Sequence, residues 1–210
     1  MLDFLFDGPE NARWTVALAH GAGAPMDSAF MNDFARALGA EGFRVARFEF
    51  PYMKARRSGG RRGAPDREPV LRAAWHEAIA ELNPKDRLVI GGKSLGGRMA
   101  SLVADEAGVA GLVCLGYPFH PPGQPDRLRT RHLAALRTPA LILQGTRDPF
   151  GSRDDVAGYE LSPSIHVEWI EDGDHSWKPR ASSGRTLAQN LEHGVAKTAA
   201  FARSLGARGE

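Results

Sequence analysis

The chain has 210 residues, of which 42% are hydrophobic and 25% charged, with a formal net charge of +2. This balance excludes a disordered chain and suffices for a single domain over residues 1–210. So small a net charge argues against nucleic acid as the main partner, and the single cysteine, Cys114, permits no internal disulfide, which fits a cytoplasmic setting.

Taken in order, Met1–Asp7 has neither a basic start nor a long apolar run, so neither a signal peptide nor a membrane partner is expected. Trp14–Ala19 reads as a buried strand ending at His20-Gly21-Ala22-Gly23-Ala24. Ser28–Ala40 places Phe30, Phe34, Ala37 and Leu38 at helical spacing, with Gly42 as a stop. Phe43–Phe50 is the next strand, closed by Pro51, and a polar basic stretch runs from Lys54 to Arg67. Glu68–Leu82 reads as a helix ended by Asn83-Pro84. A central strand over Leu88–Gly92 leads into a helix reaching about Ala107, and Gly111–Leu115 is a further strand. Tyr117–Pro125 is a proline-rich loop, Asp126–Leu136 is predicted as a short helix, and Ala140–Leu143 as a strand running into Gly145-Thr146-Arg147-Asp148-Pro149. Ile165–Ile170 is the last strand, followed by Glu171-Asp172-Gly173-Asp174-His175, and Ser182–Leu205 reads as a closing helix.

Strands alternating with helices, several of them continuous apolar runs, predict an α/β fold with a mostly parallel sheet covered by helices on both faces. In such a sheet ligands bind outside the carboxyl ends of the strands. The loops after Ala19, Phe50, Gly92, Leu115, Leu143 and Ile170 are therefore expected at one edge.

One of these loops carries chemistry. Gly92-Lys93-Ser94-Leu95-Gly96 fits G-x-S-x-G, the nucleophile elbow, between a strand pattern and a helix pattern. A serine hydroxyl is a poor nucleophile and must stand where a base can reach it. A tight strand-to-helix turn exposes it, at the cost of backbone strain and of needing small residues two before and two after. The rival reading, a phosphate-binding loop, requires glycine at position 87, which is Arg87.

A serine nucleophile needs a base and the base an orienting carboxylate. His175 follows the last strand and Asp148 the preceding one. The order Ser94, Asp148, His175 is the chain order of the α/β-hydrolase triad. The blander readings are a surface-loop histidine and a turn-forming aspartate. His120 precedes the Asp148 strand and breaks the order, while Asp154 and Asp155 lie beyond the turn in a short helical stretch. Lys93 adjoins Ser94 on a sharp turn, so its side chain is expected to diverge from the serine rather than form a Ser–Lys pair. The oxyanion donors are expected to be the N–H of Leu95 and that of Ala22, with Gly23 as the next choice. No i, i+4 histidine pair, cysteine pair or dinucleotide-binding glycine pattern is present, so no metal and no cofactor are expected. The basic stretch places Lys54, Arg56, Arg57, Arg61, Arg62 and Arg67 against Asp66; it reads as a solvated loop or as a guide for an anionic substrate or partner.

These residues resemble the α/β-hydrolase superfamily near its dienelactone-hydrolase-like members. More narrowly they are similar to the small hydrolase-like proteins grouped with testis-expressed protein thirty and the hydrolase-like subunit of the NSL complex. The resemblance is carried by His20-Gly21-Ala22-Gly23, Phe50-Pro51-Tyr52, Gly92-Lys93-Ser94-Leu95-Gly96-Gly97-Arg98, Gly116-Tyr117-Pro118, Gly145-Thr146-Arg147-Asp148 and Gly173-Asp174-His175-Ser176. It implies an α/β-hydrolase fold with Ser94, Asp148 and His175 as nucleophile, acid and base. Dienelactone hydrolases use a cysteine where this chain has Ser94. The expected activity is serine hydrolysis of a small-molecule acyl substrate, a carboxylic ester or related compound. The other class open to the chain is a non-catalytic interaction module that retains the fold. The segments between Leu115 and Ala140 and between Pro51 and Arg67 are too short or too basic to form a large cap. An open cleft lined by Phe50, Tyr52, Tyr117, Phe119 and Trp177 is expected, with a preference for short acyl chains.

Overall fold

The computed structural model describes residues 2–59 and 63–206. Seven strands form one sheet in the order β1-β3-β2-β4-β5-β6-β7. They are β1 (Phe4–Asp7), β2 (Thr15–Ala19), β3 (Arg44–Phe48), β4 (Leu88–Lys93), β5 (Gly111–Leu115), β6 (Ala140–Gly145) and β7 (Ile165–Ile170). All pairings are parallel except that of β1 with β3. The helices are α1 (Ala29–Ala40), α2 (Pro51–Arg57), α3 (Glu68–Glu81), α4 (Leu95–Ser101), α5 (Ala104–Ala107), α6 (Arg153–Ala157) and α7 (Leu187–Gly206).

Strand side chains alternate between two apolar layers, as a sheet covered on both faces requires. Val16, Leu18, Val45, Val89 and Val113 meet Met31, Phe34 and Leu38 of α1 and Val195, Ala199 and Ala202 of α7. Ala17, Ala19, Phe48, Ile90 and Leu112 meet Leu71 and Trp75 of α3 and Met99 and Val103 beside α4. Cys114 is a free thiol buried in that second layer. The chain steps outward from β2 to β3, then returns across β2 to β4 and steps the other way. The loops after β2 and β4 therefore diverge at the switch in strand order, where a crevice opens in α/β sheets.

Five expectations change. Phe4–Asp7 is an antiparallel edge strand, recruited by pairing with Phe48–Val45 rather than by any signal of its own. Part of the basic stretch is helical: Pro51 stands in the first turn of α2, where its fixed φ and missing N–H cost nothing. Arg61 and Arg62 lie outside the described residues. Asp126–Leu136 is not a helix and contains only a 3-10 turn at Leu133–Ala135. There the Arg129 N–H donates to Phe119 O and the Arg129 carbonyl accepts from the Tyr117 hydroxyl, so tertiary partners displace the i−4 ladder. The helix after β4 divides into α4 and α5 and stops at Gly108, which is left-handed at φ 66°. Finally, α7 begins at Leu187 rather than Ser182. Thr186 and Gln189 form a reciprocal cap, the Thr186 N–H donating to Gln189 Oε1 (2.9 Å) and the Gln189 N–H to Thr186 Oγ1 (3.2 Å).

Candidate active site

Ser94 joins β4 to α4 with φ 50° and ψ −110°, a left-handed strain that a serine adopts only when its surroundings enforce it. The surroundings do so from both sides. A Cβ at Gly92 or at Gly96 would collide with the Ala19 carbonyl oxygen of β2, so the turn closes against that strand only with glycine at both positions. The Ser94 N–H is tied to Leu115 O (3.2 Å), and its carbonyl accepts from Arg98 N–H (2.9 Å), starting the helix. Leu95 is the first residue of α4, and its N–H has no acceptor within the helix.

Ser94 opens onto a cleft of about 520 Å³ walled by Ala22, Gly23, Phe30, Met31, Phe150 and His175. His175 Nδ1 lies 2.7 Å from Oδ2 of Asp148, which is wholly buried. The other carboxylate oxygen of Asp148 accepts the Phe150 N–H (2.9 Å), which fixes the carboxylate plane. With Nδ1 facing a carboxylate, the ring carries its proton there and Nε2 is left as the free, basic nitrogen. The Phe150 ring lies against the imidazole at a centroid distance of 4.2 Å. Burial lowers the pKa of His175; the hydrogen bond to Asp148 opposes this, and the Lys93 charge adds to it. Ser94 Oγ makes no hydrogen bond among the described residues. Serine–histidine contacts of this kind are commonly loose in the free state and tighten around substrate.

The loop after β2 is held from behind. His20 is buried and pinned at both nitrogens: Nδ1 lies 2.7 Å from Gly21 O, and Nε2 accepts the Phe50 N–H (3.1 Å). The Tyr52 hydroxyl donates to Ala22 O (3.1 Å) and reaches Gly21 O at 3.4 Å. In a trans peptide the N–H points opposite the carbonyl. Holding those two carbonyls against His20 and Tyr52 turns the Ala22 and Gly23 N–H groups the other way, and both residues wall the cleft.

Of the expected site residues, the structure brings Ser94, Asp148, His175, Leu95, Ala22 and Gly23 to one edge of the sheet. It does not bring the expected aromatic wall there. Phe50, Tyr117, Phe119 and Trp177 are wholly buried, and Tyr52 nearly so. Tyr117 and Phe119 pack in the α3–α4 layer, with ring centroids 4.9 Å apart. Trp177 lies between Phe30 (5.0 Å) and Phe34 (5.9 Å) on the opposite layer, two residues from His175, and anchors the histidine's loop. Burial pushes the Tyr52 hydroxyl up to about 12, which suits a supporting donor and not an acid or base. His120 is buried away from the cleft with Nδ1 on Pro121 O, and Asp155 is occupied in the α6 cap with Ser152. Sequence reasoning missed Phe30, Met31 and Phe150 as walls. Phe150 was reachable, since it stands two residues after Asp148 in the same turn; Phe30 was not, because its helical spacing grouped it with Phe34 and Leu38, and Met31 carried no signal of its own.

In α2, Lys54 pairs with Asp3 (2.7 Å), and Arg57 with Glu49 (2.8 Å) and Asp27 (2.5 Å). Two of the four described cations of the basic stretch, Lys54 and Arg57, are thus met by carboxylates of the chain itself. Among the described residues no cluster of three His, Cys, Asp or Glu side chains could hold a metal ion, and no helix is long and apolar enough to cross a membrane.

The fold is that of an α/β hydrolase, and the chain belongs to that family: residues 12–203 match the model described as alpha/beta hydrolase domain. Three solved structures show the same fold at low identity. The esterase domain of a Rhodothermus marinus protein superposes with a TM-score of 0.68 at 17% identity, covering 97% of this chain and 98% of that one. A dienelactone hydrolase from Anabaena variabilis gives 0.68 at 21% identity, covering 93% and 89%. A serine hydrolase without a lid from Xanthomonas campestris gives 0.62 at 21% identity, covering 94% and 89%.

Proposed function

We propose that the chain is a serine hydrolase of small carboxylic esters or related acyl compounds. The observation that carries this is the meeting, in one cleft, of a serine at φ 50° on a strand-to-helix turn and a histidine held 2.7 Å from a buried aspartate. Ser94 attacks the acyl carbonyl while His175 Nε2 takes its proton. Asp148 keeps Nδ1 protonated and favours the imidazolium as it forms. The N–H groups of Leu95 and Ala22, with Gly23 as the alternative second donor, receive the oxyanion. His175 then returns the proton to the leaving group, and a water repeats the cycle on the acyl-enzyme.

The alternative kept open by the narrower resemblance to the NSL-complex subunit, a non-catalytic interaction module, predicts an unreactive Ser94. Reaction with a fluorophosphonate probe separates the two, because only an activated serine labels rapidly. The folded wild-type chain is expected to label at Ser94, and Ser94→Ala to abolish both labelling and esterase turnover. A wild-type chain that does not label, or an Ala variant that turns over ester at the wild-type rate, would overturn the reading.

A further inference from the structure

Lys93 is the last residue of β4 and stands directly before Ser94. The triad does not require a lysine there, and the position is almost sealed, with Lys93 only 8% exposed. Its side chain runs past Gly21 toward the histidine loop: a Cβ on Gly21 would lie 3.5 Å from Lys93 Cγ. At its end, Nζ donates to the backbone carbonyl oxygen of His175 itself, at 2.5 Å. It also lies 5.7 Å from the centre of the Phe30 ring. A Cβ on Gly116 would sit 3.0 Å from Nζ and 3.4 Å from His175 Nδ1, so the ammonium and the imidazole flank one small space that a glycine leaves open.

The charges facing this pair are few. Asp148, from the turn after β6, and Asp174, from the loop after β7, both favour the Lys93 ammonium. Neither forms an ion pair with it among the described residues, since Asp148 is committed to His175 and Phe150 N–H, and Asp174 to the N–H groups of Ser176 and Lys178. Among the described residues the ammonium therefore makes one hydrogen bond, to the loop that carries the base. A buried cation with so little compensation is costly, and an apolar side chain of equal length would pack there without that cost.

We propose that Lys93 is a positioning residue for His175: its ammonium fastens the loop that bears the ring and sets a positive charge against the ring's protonated form. The first effect is a charge-assisted hydrogen bond to the base residue's own carbonyl. The second is a like-charge interaction in a poorly solvated space, which disfavours imidazolium and keeps the base neutral into mildly acidic solution. Burial brings the lysine itself down to about 8, so it still carries its charge at and below neutral pH. The inference rests on the reading of His175 as general base, but one arm of its test does not.

In that arm the His175 ring is titrated by NMR, assigned with His175→Gln, in the wild type, Lys93→Met and Lys93→Arg. The midpoint is expected to rise by about half a unit to one unit in Lys93→Met and to stay near wild type in Lys93→Arg, which keeps the charge. In the second arm, the rate of fluorophosphonate labelling is followed against pH. Its acidic limb is expected to move up by the same amount in Lys93→Met, and its plateau to fall several-fold as the loop loosens. An unchanged midpoint in a Lys93→Met protein with a native spectrum overturns the role of the charge, and an unchanged plateau overturns the fastening. If Lys93→Met fails to fold, Lys93→Gln serves for the same comparisons. A wild type that does not label, with a midpoint that still moves in the variant, would sink the hydrolase reading while supporting the coupling.

Discussion

At Ser94 the backbone does the fixing. The serine is held at φ 50° because Gly92 and Gly96 let the turn close on Ala19 O, while Asp148 is held by two hydrogen bonds to its carboxylate. If these residues act as one unit, His175→Ala and Asp148→Asn should each lower kcat by about 10⁴, with far less change in KM. His120→Ala should leave kcat within a few-fold. A larger loss at His120 than at His175, measured on p-nitrophenyl acetate, would remove His175 as the base. A second residue-scale expectation concerns His132, whose Nε2 lies 2.8 Å from Ser101 Oγ. Burial, aided by the nearby Arg98 charge, brings its pKa from 6.5 down to about 4. His20 and His175 are also lowered, both chiefly by burial. With folded values below unfolded ones, the unfolded chain binds more protons, so stability is fully present above about 6.5 and is lost as pH falls toward about 4. The urea midpoint should drop across that window. His132→Gln, which keeps a partner for Ser101 without a charge to gain, should flatten the drop; an equally steep drop in the variant would mean that His132 does not contribute.

Elements are positioned here by a few anchoring contacts. The closing helix α7 starts at its Thr186–Gln189 cap and presses Gly194 against the Trp177 ring, so closely that a Cβ on Gly194 would come within 2.6 Å of it. Trp177 in turn sits at φ 66° and sets the loop from which His175 projects. Thr186→Ala should cost about 1 kcal/mol, visible as a Tm lower by about 2–4 °C, with kcat unchanged. Trp177→Ala should cost about 3–5 kcal/mol in urea denaturation and also lower kcat, because the loop loses its seat between Phe30 and Phe34. A Trp177→Ala protein with full turnover would show that the histidine loop is set by Asp148 and Lys93 alone.

At the scale of the whole molecule, the connection from β5 to β6 holds one 3-10 turn and inserts no cap over the cleft. The large apolar side chains walling the cleft are Phe30, Met31 and Phe150, with Ala22, Ala24 and Ala29 beside them, and each substrate CH₂ gains about 0.8 kcal/mol only while it finds such a wall. Across p-nitrophenyl esters, kcat/KM should therefore peak at acetate to butyrate and fall beyond hexanoate. A peak at decanoate or longer would require an apolar channel supplied from elsewhere. Because Arg57 is already tied to Glu49 and Asp27, Arg57→Glu should lower stability rather than discriminate between anionic and neutral esters.

Local pattern determined much of this protein. Short apolar runs such as Val16–Ala19 and Leu112–Leu115, each followed within two residues by a glycine, read as buried strands, and their alternation with helices implies a parallel sheet. That sheet brings every strand-end loop to one edge, so Ser94, Asp148 and His175 could be grouped although they are far apart in the chain. Tertiary structure decided what the grouping could not. An aromatic residue near a strand end reads the same whether it walls a cleft or fills a layer, and packing sent Tyr117, Phe119 and Trp177 inward and brought Phe30 and Phe150 to the cleft. Strand β1 and the coil over Asp126–Leu136 follow the same rule, since both depend on hydrogen-bond partners distant in sequence. The end point of the Lys93 side chain on the His175 carbonyl exists only once β4 and the loop after β7 meet.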